Sequence, residues 1–206
     1  MTTVLSAKGT RLNRRGLQTR QQLLKQALSC LAEGGPESVS ANAVVRRAGA
    51  TWGTIQHQFG DVDGLWAAVL EYVAEHRGPV FDELPSQTDL GERVVAVVEM
   101  LWSALDMPGS VAIYNLRAAL PRQREQLESS FPDTARAIAR WDAEWTEICE
   151  RSFRGLPVDH DKLMRVRLML PGAIRGIYNE RHLSPYIDAE EARRGLTEAI
   201  TAYLRS

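Results

Sequence analysis

The chain has 206 residues, 44% of them hydrophobic and 25% charged, with two cysteines and a formal net charge of −1. That is ordinary globular composition, sufficient for one good core or two small ones, and it leaves enzymes, binding modules and regulators all open. It excludes a disulfide framework, because Cys30 and Cys149 lack paired spacing and read as buried free thiols. It also excludes a membrane span, because no apolar run reaches the roughly 18–20 residues that cross a bilayer.

The small net charge conceals an asymmetry. Residues 1–58 carry eight Lys or Arg against two acids, a charge of +6, which leaves −7 for the remainder. A basic N-terminal unit on an acidic remainder is the electrostatic footprint of a small nucleic-acid reader carried by a larger domain. Residues 1–16, with Lys8, Arg11, Arg14 and Arg15 between the loosening Gly9 and Gly16, are expected to form a flexible basic arm that follows phosphates or enters a minor groove. The N-terminus has charges but no apolar segment before a cleavage site, which points to a cytoplasmic protein. From Leu17 to Ala32, Leu24, Ala27, Leu28 and Leu31 recur at helical spacing, and Glu33-Gly34-Gly35-Pro36 ends the helix.

Ser40–Phe59, SANAVVRRAGATWGTIQHQF, then reads as two short helices joined by a tight turn, a helix-turn-helix. Ser40 is placed to cap the first, Ala48-Gly49 supplies the turn, and Thr51 caps the second. Val44, Val45 and Ala48 give the first helix its buried side; Ile55 and Phe59 do so for the second. The outward face of the second helix, Trp52, Gly53, Thr54, Gln56 and His57, suits a major groove. Trp52, Thr54 and His57 are expected at bases or sugars. Arg20, Ser40, Arg46, Thr51 and Gln56 are expected at phosphates, with Gln56 also able to pair with an adenine edge. Gly53 lets the helix N-terminus approach a phosphate closely.

Thr19-Arg20 opening an amphipathic helix, Ala32-Glu33-Gly34-Gly35 ending it, Ala48-Gly49-Ala50-Thr51-x-Gly53-Thr54-Ile55-x-His57-x-Phe59, and Gly64-Leu65 together resemble the N-terminal domain of the tetracycline-repressor (TetR) family. The likeness covers about residues 17–70. It departs at Gln56, where the family usually has a phosphate-binding Tyr, and at Val62, where a Lys commonly opens the next helix. The resemblance implies an all-α fold: a three-helix DNA-binding domain over residues 17–60, and a larger helical ligand-binding and dimerisation domain over residues 61–206.

Beyond the helix-turn-helix, Asp61 caps a helix whose Val62, Leu65, Trp66, Val69, Leu70 and Val73 form a broad apolar stripe. Further helices follow: one with Leu90, Val94, Val97, Val98, Leu101 and Leu105; a short one from Val111 to Leu120; and a longer one from about Pro132, with Ile138, Trp141, Trp145 and Ile148 inward. The last two helices carry Leu163, Val166, Leu170, Ile174 and Ile177, and Leu196, Ile200 and Tyr203. Pro171-Gly172 is expected to kink the first of them. In position they resemble the helices through which TetR-like proteins pair, and these eight residues are the expected dimer interface. The resemblance also implies a ligand pocket, for which Trp66, Trp102, Met107, Tyr114, Trp141, Trp145, Met169 and Tyr178 are the candidate lining.

Enzyme constellations are thin. The four histidines lack metal-ligand spacing, and there is no phosphate loop or G-x-S-x-G, so no catalytic residue, metal or cofactor is expected. The expected function is a ligand-responsive transcriptional regulator, a repressor that binds a palindromic double-stranded operator as a homodimer and is released by a small-molecule effector. The alternative, motivated by Gln56 and Val62, is a helical ligand- or partner-binding module with weakened DNA binding.

Overall fold

The protein is described from a computed structural model that covers residues 6–7, 9–34, 39–76, 81, 83–107 and 109–206, without the side chain of His182. Among the described residues the fold is all-α: α1 (Arg14–Ala32), α2 (Ala41–Arg47), α3 (Trp52–Phe59), α4 (Val62–Glu75), α5 (Leu90–Leu105), α6 (Ser110–Ala119), α7 (Arg124–Ser130), α8 (Pro132–Ser152), α9 (His160–Leu183) and α10 (Ala189–Arg205). No single described helix is long and apolar enough to cross a membrane.

The chain divides into two compact units: Met1–Arg77 with Pro108–Trp141, and Gly78–Met107 with Asp142–Ser206. This differs from a cut at residue 60, because α4, α6 and the first half of α8 share one core with the helix-turn-helix. In that core Leu23, Leu31, Val44, Ile55, Leu65, Val69, Leu70 and Leu116 are all fully buried. α4 is buried nearly all round, from Leu65 through Leu70, where its sequence suggests a stripe. Asn115 of α6 donates to the carbonyl of Leu31 at 2.7 Å, closing the end of α1. Asp63, itself buried, accepts the backbone N–H groups of Asp133 and Thr134, each at 2.8 Å, and so caps α8 from the first turn of α4. Those amides would otherwise be orphaned at a buried helix start.

The second unit packs α5, α9, α10 and the rest of α8 around Val94, Val97, Val98, Cys149, Phe153, Leu163, Val166, Leu170, Ile174, Ile200 and Leu204. The buried Arg93 donates to the carbonyls of Ser152 and Gln87, tying the end of α8 to the approach to α5. Asp89, Asp159 and Asp188 cap α5, α9 and α10 with their carboxylates.

Two local expectations change. α1 begins at Arg14, three residues before Leu17, because Asn13 caps it by accepting the N–H of Gly16 at 2.9 Å. The segment before it is not loose where it is described: Ser6 N–H donates to the Thr10 carbonyl at 2.8 Å, and Leu12 is buried. Met1–Leu5 and Lys8 lie outside the described residues. Helix α7 is the other difference; it is a short polar helix with no buried residue, so it has no apolar period to read.

Candidate nucleic-acid interface

The turn between α2 and α3 is built at Gly49, whose φ of 58° is left-handed and favours glycine. Around it, Ala48 N–H bonds to the Val44 carbonyl at 2.9 Å and Ala50 N–H to the Val45 carbonyl at 3.0 Å. On α3, Ile55 and Phe59 point into the core while Trp52, Gly53, Gln56 and His57 are exposed, Trp52 by 39%.

The start of α3 is closed by its own threonines. Thr51 N–H donates to the Thr54 hydroxyl at 3.4 Å, and the two hydroxyls lie 3.1 Å apart. Thr54 is therefore half-buried and turned back toward the helix start. Ser40 sits at the N-cap of α2, but its side chain makes no capping bond. A Cβ placed on Gly53 would meet only the Thr51 hydroxyl oxygen at 3.7 Å, an ordinary contact. The fold therefore does not require glycine at that exposed position. Gly64 is the opposite case: a Cβ there would lie 2.0 Å from the carbonyl oxygen of Phe59, so the close approach of α4 to the end of α3 demands it.

Of the basic residues, Arg11, Arg14, Arg15 and Arg46 are exposed. An open groove beside the start of α1 is lined by Arg11, Asn13, Arg14, Gln18 and Gln21. Arg47 grips Glu33 in a two-pronged ion pair, which holds the Glu33 carboxyl below its usual range. Arg20, expected at a phosphate, is half-buried. Its guanidinium donates to the Gln58 carbonyl at 2.6 Å and lies 4.4 Å from the centre of the Phe59 ring. Burial lowers its pKa, while the charges of Glu71 and Glu75 oppose that shift. Sequence reasoning passed over Gln58. It lies three residues after Ile55, on the inner side of α3, and that period is the signal that could have found it.

The other predicted sites are redistributed. Leu163, Val166, Leu170, Ile174 and Ile200 are buried in the core of their own unit, which leaves these five no exposed face, while Leu196 is half-buried and packed against that core. Ile177 is half-buried and Tyr203 is exposed. The outer side of α9 and α10 carries Leu168 (71% exposed), Met169, Gly172, Gly176, Gly195, Ala199, Ala202 and Tyr203. The apolar stripe of each helix points inward because the unit's own core takes it first.

The candidate pocket residues are divided between the two units. Trp66, Tyr114 and Trp141 belong to the first unit, where Trp66 is core and Tyr114 is exposed. Trp102, Met107, Trp145, Met169 and Tyr178 belong to the second. There, Trp102 meets Tyr178 edge-on at 5.4 Å, and the guanidiniums of Arg181 and Arg193 lie 5.3 and 4.4 Å from the Trp102 ring. The Trp145 indole is spent on the Arg167 carbonyl.

Residues 23–69 match the family described as bacterial regulatory proteins, tetR family. Over 59 residues, 29% of this chain and 30% of the relative, the sequence is 37% identical to the HTH-type transcriptional regulator BetI of Pectobacterium carotovorum subsp. carotovorum (strain PC1). It is 36% identical over 59 residues, with the same shares, to BetI of Yersinia pestis (strain Pestoides F). The match thus spans 30% of the length of these curated relatives.

In fold the chain is similar to a transcriptional regulator from Rhodococcus sp. Rha1 (TM-score 0.67, 19% identity, 90% of this chain and 96% of that one). It is likewise similar to a TetR-family member from Streptomyces coelicolor A3 (0.62, 19%, 91% and 98%). A third likeness is to the multidrug binding protein EbrR, solved with imidazole (0.63, 20%, 97% and 97%). At such identities these likenesses speak for the fold alone. Residues 23–69, which hold the helix-turn-helix, thus match the DNA-binding domain of the tetR family of bacterial regulatory proteins.

Proposed function

We propose that this protein is a ligand-responsive transcriptional regulator, a repressor that binds a palindromic DNA operator as a homodimer and is released by a small molecule. The observation that carries the reading is the exposed face of α3. Trp52, Gln56 and His57 stand out from a basic unit, beside a glycine that the fold itself does not need. Base edges in a major groove are read by such hydrogen-bonding side chains, and exposed arginines supply the phosphate contacts. Arg14, Arg15 and Arg46 take the phosphate role first expected of Arg20.

One helix-turn-helix makes few contacts, so two copies are needed to read half-sites about 34–36 Å apart. The outer side of α9 and α10 fits the pairing surface: Leu168, Met169 and Tyr203 are apolar and exposed, and the small residues between them permit close helix approach. The similarity to multidrug-binding EbrR supports a small-molecule effector in the second unit. A ligand acts there only through different affinities for two conformations.

Selection of bound fragments from random duplex DNA by the purified protein, repeated at rising salt, tests the reading. Enrichment of a palindrome is the expected result. Weak, sequence-blind retention would instead favour a helical binding module in which Gln56 and Val62 mark lost DNA anchoring.

A further inference from the structure

The last turn of a helix leaves carbonyls without intrahelical partners, and other groups must satisfy them. In this chain three successive carbonyls at that end are each met from a different place. Gln56 accepts the N–H of Gly60 at 3.0 Å, His57 accepts the N–H of Ala7 at 3.2 Å, and Gln58 accepts the Arg20 guanidinium at 2.6 Å. The Gln58 side chain returns the contact, its Nε2 donating to the Gly16 carbonyl at 3.2 Å. Gly16 and Arg20 are one turn apart on α1, so the two bonds run in opposite directions between the same two helices. The Arg20 guanidinium also lies over the Phe59 ring, 4.4 Å from its centre.

We propose that Arg20 and Gln58 form a latch that sets the angle at which α3 presents Trp52, Gln56 and His57, with the strand of chain at Ala7 closing its third side. Arg20 is then a positioning residue that touches no nucleic acid. This inference rests on the DNA-binding reading above.

The chemistry separates the latch from a phosphate contact. A phosphate also binds Lys, as a point charge, so Lys keeps part of a phosphate contact, whereas a bond to one carbonyl combined with ring stacking needs the planar guanidinium. A lost phosphate contact also lowers the salt slope of binding by about one. The full-length variants Arg20→Lys, Arg20→Met and Gln58→Leu are compared with wild type on the DNA fragment recovered by selection, across a salt series, with thermal melting as a control for folding.

All three variants are expected to bind at least tenfold more weakly at every salt concentration, with the salt slope unchanged and no rescue by Lys. Gln58→Leu carries no charge change and decides the matter if Arg20→Met fails to fold. Full affinity in Arg20→Lys, or a salt slope reduced by about one in Arg20→Met, overturns the latch. Hydrogen exchange gives a readout that needs no DNA. The amides of Phe59 and Gly60 are expected to exchange at least tenfold faster in Arg20→Lys and Gln58→Leu while those of α10 are unchanged. Unchanged exchange at Phe59 and Gly60 overturns the latch even if wild type proves to bind no DNA.

Discussion

The indole N–H of Trp145 donates at 3.0 Å to the carbonyl of Arg167, the group that Pro171 leaves without a partner inside α9. An interior proline removes one bond of the helical ladder at the carbonyl four residues back. A side chain from the neighbouring helix replaces it, and this is how α9 runs through Pro171 from His160 to Leu183 as one element. The pair predicts a coupling. Trp145→Phe is expected to cost about 1–2 kcal/mol in the native background and clearly less in Pro171→Ala, where the residue 171 amide takes the bond back. A double-mutant cycle of denaturant midpoints measures it, and additive effects would refute the exchange of partners.

Gly53→Ala separates stability from function. Alanine should stabilise the fold by up to about 1 kcal/mol, since the position is helical and has room for a Cβ. The same methyl should weaken DNA binding by holding the helix start away from the backbone of the duplex. Thermal melting and binding titrations on one preparation are expected to move in opposite directions.

Asp63 is a capping group disguised as a surface acid. Asp63→Asn leaves only one oxygen for the two amides at the start of α8 and is expected to lose about 1–2 kcal/mol of stability. Asp61→Asn, whose residue caps α4 through the single N–H of Gly64, should lose no more than a few tenths. Urea midpoints of the two variants test the contrast.

Leu168→Glu tests the pairing face. The residue is 71% exposed, so the substitution should leave the melting of an isolated subunit nearly unchanged while shifting the protein from dimer to monomer in light scattering. Val166→Ala, inside the core, should destabilise without that specific shift.

Cys149 gives a pH signature. Burial pushes its thiol pKa up to about 12, so the folded state keeps the proton that the unfolded chain releases near its ordinary value of 9.0. The sign is that stability from this group is complete below that ordinary value and is lost as pH rises toward 12. Native protein at pH 8 should therefore react with a thiol reagent at Cys149 only as fast as it opens, and denaturant should release the reaction.

Much of the architecture was legible in the residues alone. Leu24, Ala27 and Leu31 mark α1, Gly49 the turn between α2 and α3, and Asp61 the start of α4, because helical period and capping chemistry act over four or five residues. The outward face of α3 follows from the same logic once Ile55 and Phe59 are set inward. What a period does not reveal is which neighbour receives an apolar stripe. The positions of Leu163, Val166 and Leu170 suggest a seam between copies, and only the packing of α5 and α10 onto α9 makes them core and leaves Leu168 outside.

The roles of charged and polar side chains were decided even further from the sequence. Arg20 and Gln58 are 38 residues apart, Trp145 and Arg167 are 22 apart, and Asp63 and Thr134 are 71 apart. Local spacing determines that a helix exists and which side of it is apolar. A long polar side chain takes its partner from whichever orphaned backbone group the folded chain brings within about 3 Å, and that is a property of tertiary structure alone.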